Sequence, residues 1–215
     1  LAMINFLIII FIISLIYLAK VEMVKSYFTL MAIQGLILFG LAYFELQEID
    51  LVHLLLILLE TLVFKAIFVP IFLQRITKNQ IHRHHNGPIK GYYSVLTAVV
   101  IIIGCFMISY VLHDQLKSDA DQQVKYFTAA TSSLLVGLFI AINNRDLVTH
   151  LIGYLVIENG IFLLSLALGS EMPMFVNSAI LLDIFTSVLI MGIFFNKMKD
   201  YFQNANAGQL SQLKD

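Results

Sequence analysis

The sequence predicts an all-α, polytopic membrane protein with about seven transmembrane helices. Hydrophobic residues make up 60% of the chain and charged residues only 13%, whereas a soluble domain carries roughly 25% charged residues. Apolar runs recur that can cross a hydrocarbon layer of about 30 Å, which takes roughly 20 helical residues. These runs lack the alternation of polar and apolar residues found in barrel strands, so helices are the expected spanning form.

The predicted spans occupy most of the chain. They run from Ile4 to Ala19, Tyr27 to Phe44, Leu51 to Leu73, Tyr93 to Leu112, Tyr126 to Ile142, Leu147 to Leu168 and Val176 to Phe195. We divide the chain into a three-helix part with a basic loop (1–92), a fourth helix with an external loop (93–125), a second three-helix part (126–200) and a tail (201–215). Because the connections are short, no water-soluble catalytic domain is expected, and the chain is predicted to be one component of a larger assembly.

Basic residues predict the orientation. Of 13 Lys and Arg residues, ten fall in alternate connections: Lys20, Lys25, Arg75, Lys78, Arg83, Lys90, Arg145, Lys197, Lys199 and Lys214. Because cytoplasmic loops carry an excess of Lys and Arg, that side is predicted to be cytoplasmic. The amino terminus is then outside and the carboxyl terminus inside.

The longest connection, from Gln74 to Gly91, contains His82, His84 and His85 among basic residues. Without cysteine or carboxylate partners, a solvated loop that contacts lipid headgroups or a partner subunit is favoured over a metal site. The chain contains no Cys-x-x-Cys pair, phosphate loop or dinucleotide fingerprint. We therefore expect no metal, no cofactor and no redox active site in this chain.

Four charged residues fall well inside predicted spans: Glu60, Lys65, Glu158 and Asp183. An uncompensated charge at the centre of a span costs about 2.5 to 3.5 kcal/mol on insertion scales, so such residues usually serve transport or proton relays. Alternatively, Glu60 and Lys65 form a structural ion pair and the other carboxyl groups are protonated packing groups. In an α-helix five residues turn by about 140°, which predicts that Lys65 meets a carboxylate from another helix.

Two further expectations concern Glu158. It follows Asp146, His150 and Tyr154 at four-residue spacing, which places all four along nearly one face of a helix and suggests a path for proton entry. Alternatively, the four are unrelated, since an acidic residue also favours a helix start and a tyrosine also packs. Because the connection between the last two spans is short, Glu158 and Asp183 are expected to lie near one another.

Two segments resemble component E of hydrogenase-4, a membrane subunit of group 4 nickel-iron hydrogenase complexes. They are His150 to Gly160, HLIGYLVIENG, and Leu181 to Phe185, LLDIF. The similarity covers most of the chain, including Thr61 to Pro70, TLVFKAIFVP, which holds the intramembrane lysine. The last three predicted spans also look like the K subunit of respiratory complex I and the C subunit of multisubunit sodium/proton antiporters.

Aligning Gly153 and Asn159 with the K subunit puts Leu155 where that family has a glutamate. Glu158 lies three residues later, about 4.5 Å along a helix, and the family's second carboxylate falls on Asp183. The resemblance implies that both carboxylates lie on a proton axis through the membrane arm, beside antiporter-like subunits. At Leu155 this chain therefore differs from the K-subunit pattern.

The sequence therefore predicts a proton-handling subunit of a hydrogenase-4-like or complex-I-like oxidoreductase. Alternatives are a structural adaptor between antiporter-like subunits and a subunit of a sodium/proton antiporter. The predicted proton-transfer residues are Glu158, Asp183, Lys65, Glu60, His150 and Tyr154. The resemblance implies membrane subunits of the same complex and lipids as partners, H⁺ or Na⁺ as the only small substrate, no nucleic acid, and a bacterial or archaeal cytoplasmic membrane.

Overall fold

A computed structural model describes residues 2–21, 24–45, 60–76, 91–116, 121–143, 147–167 and 192. This part of the chain contains six α-helices, one π-helix and no strand. The helices are α1 (Ala2–Lys20), α2 (Val24–Glu45), the π-helix (Glu60–Phe68), α3 (Val69–Ile76), α4 (Tyr92–Leu116), α5 (Asp121–Asn143) and α6 (Leu147–Ala167). The all-α class is confirmed.

Five described helices are long and apolar enough to cross a membrane. The qualifying segments are Ala2–Lys20, Ser26–Phe44, Tyr92–Val111, Gln122–Asn143 and Thr149–Ala167. They match the first, second, fourth, fifth and sixth predicted spans, and they define a multi-pass membrane protein. Apart from Gly192, the seventh predicted span lies outside the described residues. The total of seven spans and the orientation stay predictions.

The third predicted span differs from the expected α-helix. Its described part begins as a π-helix, Glu60–Phe68, and continues as an α-helix, Val69–Ile76. Pro70 is the second residue of α3, at the change from one helix type to the other, and it has no backbone N–H to donate to the preceding turn. The angle of about 140° assumed between Glu60 and Lys65 was therefore wrong, because a π-helix hydrogen-bonds residues five apart.

Helices α5 and α6 pack with their backbones in close approach, and glycines make this possible. A Cβ atom on Gly137 would lie 2.8 Å from the Gly153 carbonyl oxygen, and one on Gly153 would lie 2.8 Å from that of Gly137. Small residues allow such contacts between helices in membranes. The Ser133 hydroxyl adds a hydrogen bond of 2.7 Å to the Val156 carbonyl. The helix that carries Glu158 is thus fixed against α5.

Helix α2 lies between α1 and α6 and also contacts the π-helix and α3. Apolar side chains such as Phe11, Leu38 and Ile152 are fully buried where these helices meet. Helix α4, by contrast, exposes Val100, Phe106 and other large apolar side chains along its length, as expected for a helix that faces lipid.

Candidate functional site

A buried ion pair joins the π-helix to α6. The Lys65 ammonium contacts the Glu158 carboxylate, and only 8% of the lysine side chain and 5% of the glutamate side chain are exposed. The prediction that Lys65 meets a carboxylate from another helix is confirmed. Two charges taken out of water are tolerated only when they compensate each other, since an unpaired buried ion costs several kcal/mol.

The surroundings of the pair combine an aromatic ring with a small cavity. Lys65 Nζ lies 4.6 Å from the centroid of the Phe162 ring, within the range of a cation–π interaction. The adjacent cavity of about 20 Å³ is lined by Met31, Lys65, Val69, Leu155, Glu158 and Asn159. A cavity of this size has room for one water molecule. The charged groups thus meet beside a small cavity that three polar and three apolar residues line.

A chain of buried hydrogen bonds begins beside the ion pair and crosses two more helices. Asn159 Nδ2 on α6 donates to Gln34 Oε1 on α2 over 3.2 Å. Gln34 Nε2 donates to Ser14 Oγ on α1 over 2.9 Å, and Ser14 Oγ donates to the Phe11 carbonyl oxygen over 2.6 Å. With the ion pair, this chain forms a polar layer of Ser14, Gln34, Lys65, Glu158 and Asn159.

The polar layer lies near the middle of α2 and α6. Gln34 is ten residues from Val24 and eleven from Glu45, the two ends of α2, or about 15 Å from each at 1.5 Å per residue. Glu158 is at a similar distance from the start of α6. At this depth water is scarce, so buried polar groups must find partners within the protein.

Gly35 brings the π-helix against α2. A Cβ atom at this position would lie 2.7 Å from both the Cα and the backbone nitrogen of Ala66, and 2.9 Å from the carbonyl carbon of Lys65. The adjacent Gln34 bonds Asn159, the neighbour of Glu158. Two consecutive residues of α2 therefore position both halves of the ion pair.

The remaining predicted site residues are distributed differently. His150 is exposed near the start of α6, Tyr154 is half-buried one turn later, and Glu158 is buried a further turn along. The α-helical spacing that places these three on one face is confirmed, whereas their role in proton entry stays a prediction. Glu60 is the first residue of the π-helix, but its side chain lies outside the described atoms. Asp146 and Asp183 lie outside the described residues, as does the proposed proximity of Glu158 and Asp183.

Sequence reasoning missed three members of the polar layer: Ser14, Gln34 and Asn159. It weighed only ionisable residues, yet a glutamine in the middle of the run Met31-Ala-Ile-Gln-Gly-Leu-Ile37 is itself a signal. Amide and hydroxyl side chains inside spans commonly form hydrogen bonds between helices. Among the described residues, no group of three or more His, Cys, Asp and Glu side chains could hold a metal ion.

The fold and the site define a multi-pass helical membrane protein with a buried ion pair and hydrogen-bonded polar layer at mid-helix. No family model matches the chain, and no solved structure matches it. It is similar to the uncharacterized protein Rv0085 of Mycobacterium tuberculosis, with 26% identity over 87 residues. The match covers 40% of each protein. The resemblance to component E of hydrogenase-4 therefore stays a prediction.

Proposed function

We propose that this chain is a proton-handling membrane subunit in which Lys65 and Glu158 form a proton-binding site. The supporting observation is the buried ion pair at mid-helix, beside a cavity large enough for one water molecule. Buried ionisable groups within spans are costly and usually mark ion pathways or proton relays. The pair has the chemistry for this, since its carboxylate can accept a proton and its ammonium can balance the negative charge of the carboxylate.

The proton would bind at the Glu158 carboxylate. Protonation makes the carboxyl group neutral and removes its attraction for Lys65, so uptake and release of the proton are coupled to breaking and remaking the ion pair. A lysine on a flexible four-carbon stem can follow such a change. Asp183 is the second carboxylate that we assign to the path, on the basis of the sequence resemblance.

A structural lock is the competing function, and one observation favours it. The ion pair lies within a single chain and adjoins a hydrogen-bonded chain that connects α6, α2 and α1. Buried polar groups of this kind can specify how helices pack without any role in transport. An adaptor between antiporter-like subunits would require no more than this rigidity.

A neutral replacement of the pair separates the two functions. Lys65→Met with Glu158→Gln removes both charges and the titratable proton while keeping side chains of similar length. We expect the double variant to assemble and to lose most ion pumping, measured as acidification of inverted membrane vesicles per assembled complex. Glu158→Gln with Asp183→Asn should likewise assemble and impair pumping.

The matched control is Ser133→Ala, which removes a buried hydrogen bond from the α5 to α6 contact and leaves the charges in place. It should pump at the wild-type rate per assembled complex. Wild-type pumping by either double variant would exclude the relay and leave the structural lock. The structural lock predicts normal pumping whenever assembly is normal.

We further propose that the chain is oriented with its basic connections in the cytoplasm, in a complex of the hydrogenase-4 or complex I type. Neighbouring genes distinguish this complex from an antiporter: a nickel-iron large subunit favours the hydrogenase, whereas an antiporter-only cluster favours the exchanger. Purification followed by an assay of hydrogen oxidation or evolution tests the same choice directly.

Cysteine labelling tests the orientation. The chain has one native cysteine, Cys105, which is buried in α4, so a cysteine introduced at His84 supplies a new accessible thiol. We expect a membrane-impermeant maleimide to label His84→Cys in inverted vesicles and to leave it unlabelled in intact cells. Labelling from outside intact cells would reverse the orientation. Replacing Cys105 with alanine in the same chain removes the background signal.

A further inference from the structure

The hydrogen-bond chain beside the ion pair has a direction that its last acceptor fixes. The Phe11 carbonyl oxygen can only accept, so the Ser14 hydroxyl donates to it. Because that hydroxyl has one proton, Ser14 Oγ must accept from Gln34, which turns the amide nitrogen of Gln34 toward α1. The carbonyl oxygen of Gln34 then faces α6 and accepts from Asn159 Nδ2.

This direction determines what Asn159 offers to its neighbours. The amide nitrogen of Asn159 is committed to Gln34, so the chain leaves the carbonyl oxygen of Asn159 available as an acceptor. Asn159 lines the same cavity of about 20 Å³ as Lys65 and Glu158. The Lys65 ammonium has three donors, and its ion-pair contact is with one oxygen of Glu158, Oε1. A neutral amide thus lines the same cavity as a cation that can donate further hydrogen bonds.

We propose that Asn159 is the alternate partner of Lys65 when Glu158 binds a proton, and that Ser14 and Gln34 are positioning residues that keep its carbonyl oxygen turned toward the cavity. This inference deepens the proposed function and rests on it. Proton uptake forms an O–H bond on Glu158 and breaks the ion pair. The ammonium keeps its three protons and donates one hydrogen bond to the Asn159 carbonyl oxygen, directly or through one water molecule in the cavity. Release of the proton reverses both changes.

The physical need for such a partner follows from burial. Once Glu158 is neutral, it offers the Lys65 ammonium only a neutral carbonyl oxygen, beside the ring of Phe162, and a buried charge without a counter-charge is strongly unfavourable. An amide oxygen held in place stabilises the ammonium without competing for the proton. A freely rotating asparagine would present its nitrogen part of the time, and that group repels a cation.

Infrared difference spectra of the wild-type protein in membranes test the proposal, and variants are needed only to assign the bands. Asparagine side chains are labelled with ¹³C at the amide carbonyl, and spectra are compared between acid and alkaline buffer. We expect an asparagine carbonyl band to shift to lower frequency as the carboxyl band of Glu158 appears, since that oxygen gains a charged donor. The carboxyl band is assigned by its loss in Glu158→Gln, and the asparagine band by its loss in Asn159→Leu. If no asparagine band changes as Glu158 is protonated, Asn159 is not the alternate partner.

Two serine variants test the positioning role. Ser14→Ala removes the hydroxyl that sets the direction of the chain, and Ser133→Ala removes an equivalent hydroxyl that donates to a backbone carbonyl on α6. We expect Ser14→Ala to abolish the asparagine band shift and to slow pumping at least threefold per assembled complex. Ser133→Ala should change neither, and Ser14→Thr, which keeps a hydroxyl, should restore both.

The outcomes distinguish a failure of the positioning role of Ser14 from a failure of the proton site on Glu158. Should Ser14→Ala match Ser133→Ala in spectrum and pumping, the positioning role is wrong while the proton site on Glu158 stands. If Glu158→Gln removes no carboxyl band and pumps normally, the proposed function itself fails. Loss of assembly in Ser14→Ala leaves the wild-type spectra to decide.

Discussion

Replacing Lys65 with methionine is expected to destabilise the protein by about 3 to 5 kcal/mol, because it leaves the Glu158 carboxylate buried without its counter-charge. Glu158 is only 4% exposed, so water cannot take over the role of the ammonium. Glu158→Gln should cost less, because the glutamine keeps a carbonyl oxygen beside Lys65 and Asn159 can supply a second acceptor from the same cavity. In the double variant both charges are gone, and buried pairs replaced by neutral groups of similar volume are often as stable as the original.

These three variants form a double-mutant cycle. We expect the stability lost in the two single variants, added together, to exceed the stability lost in the double variant. Stability is measured as the midpoint of thermal unfolding of the purified protein in detergent. Lys20→Met is the matched control: the same substitution at an exposed lysine at the end of α1 should change stability by less than about 0.5 kcal/mol. If the losses in the two single variants add up to the loss in the double variant, Lys65 and Glu158 do not stabilise each other.

The sequence was sufficient for the fold class because lipid restricts the choices. A run such as Ala2–Lys20 has little alternative to a helix once it lies in hydrocarbon. The partner of Lys65 was also predictable in kind, since an ammonium at that depth requires a compensating group. The identity of that partner, Glu158, was not predictable, because the alignment of one helix against another depends on close approaches such as that of Gly35 to Ala66.

The π-helix was missed for a different reason. No local pattern in Glu60–Phe68 distinguishes a π-helix, with hydrogen bonds between residues five apart, from an α-helix, with hydrogen bonds between residues four apart. Only Pro70 indicates an irregular helix there. The chain of amides and hydroxyls was missed because neutral polar residues in apolar runs were treated as ordinary packing. Gln34 carried that signal in the sequence, and its partners could be known only from the packing of α1, α2 and α6.

Gly35→Ala is expected to separate α2 from the π-helix and to displace Lys65 from Glu158. The added methyl group would overlap three backbone atoms of Lys65 and Ala66, at 2.7 to 2.9 Å, and backbone atoms cannot move aside as the end of a side chain can. Overpacking of this kind costs about 1 to 3 kcal/mol, whereas alanine gains at most about 1 kcal/mol of helix propensity over glycine. The overlap therefore outweighs the gain, and the unfolding midpoint and pumping should both fall.

Gly40→Ala is the control, because it adds the same methyl group to the same helix. Among the described residues, its Cβ would meet only the side chain of Leu7, with the nearest atom, Cδ1, at 3.1 Å. A leucine methyl can rotate away at small cost. We expect Gly40→Ala to keep wild-type pumping and to unfold within a few degrees of wild type, because a stability change of 1 kcal/mol moves the midpoint of a chain this size by about 2 to 4 °C. Equal unfolding midpoints for the two variants would show that the contact at Gly35 is not what holds the π-helix, and that Lys65 reaches Glu158 without support from α2.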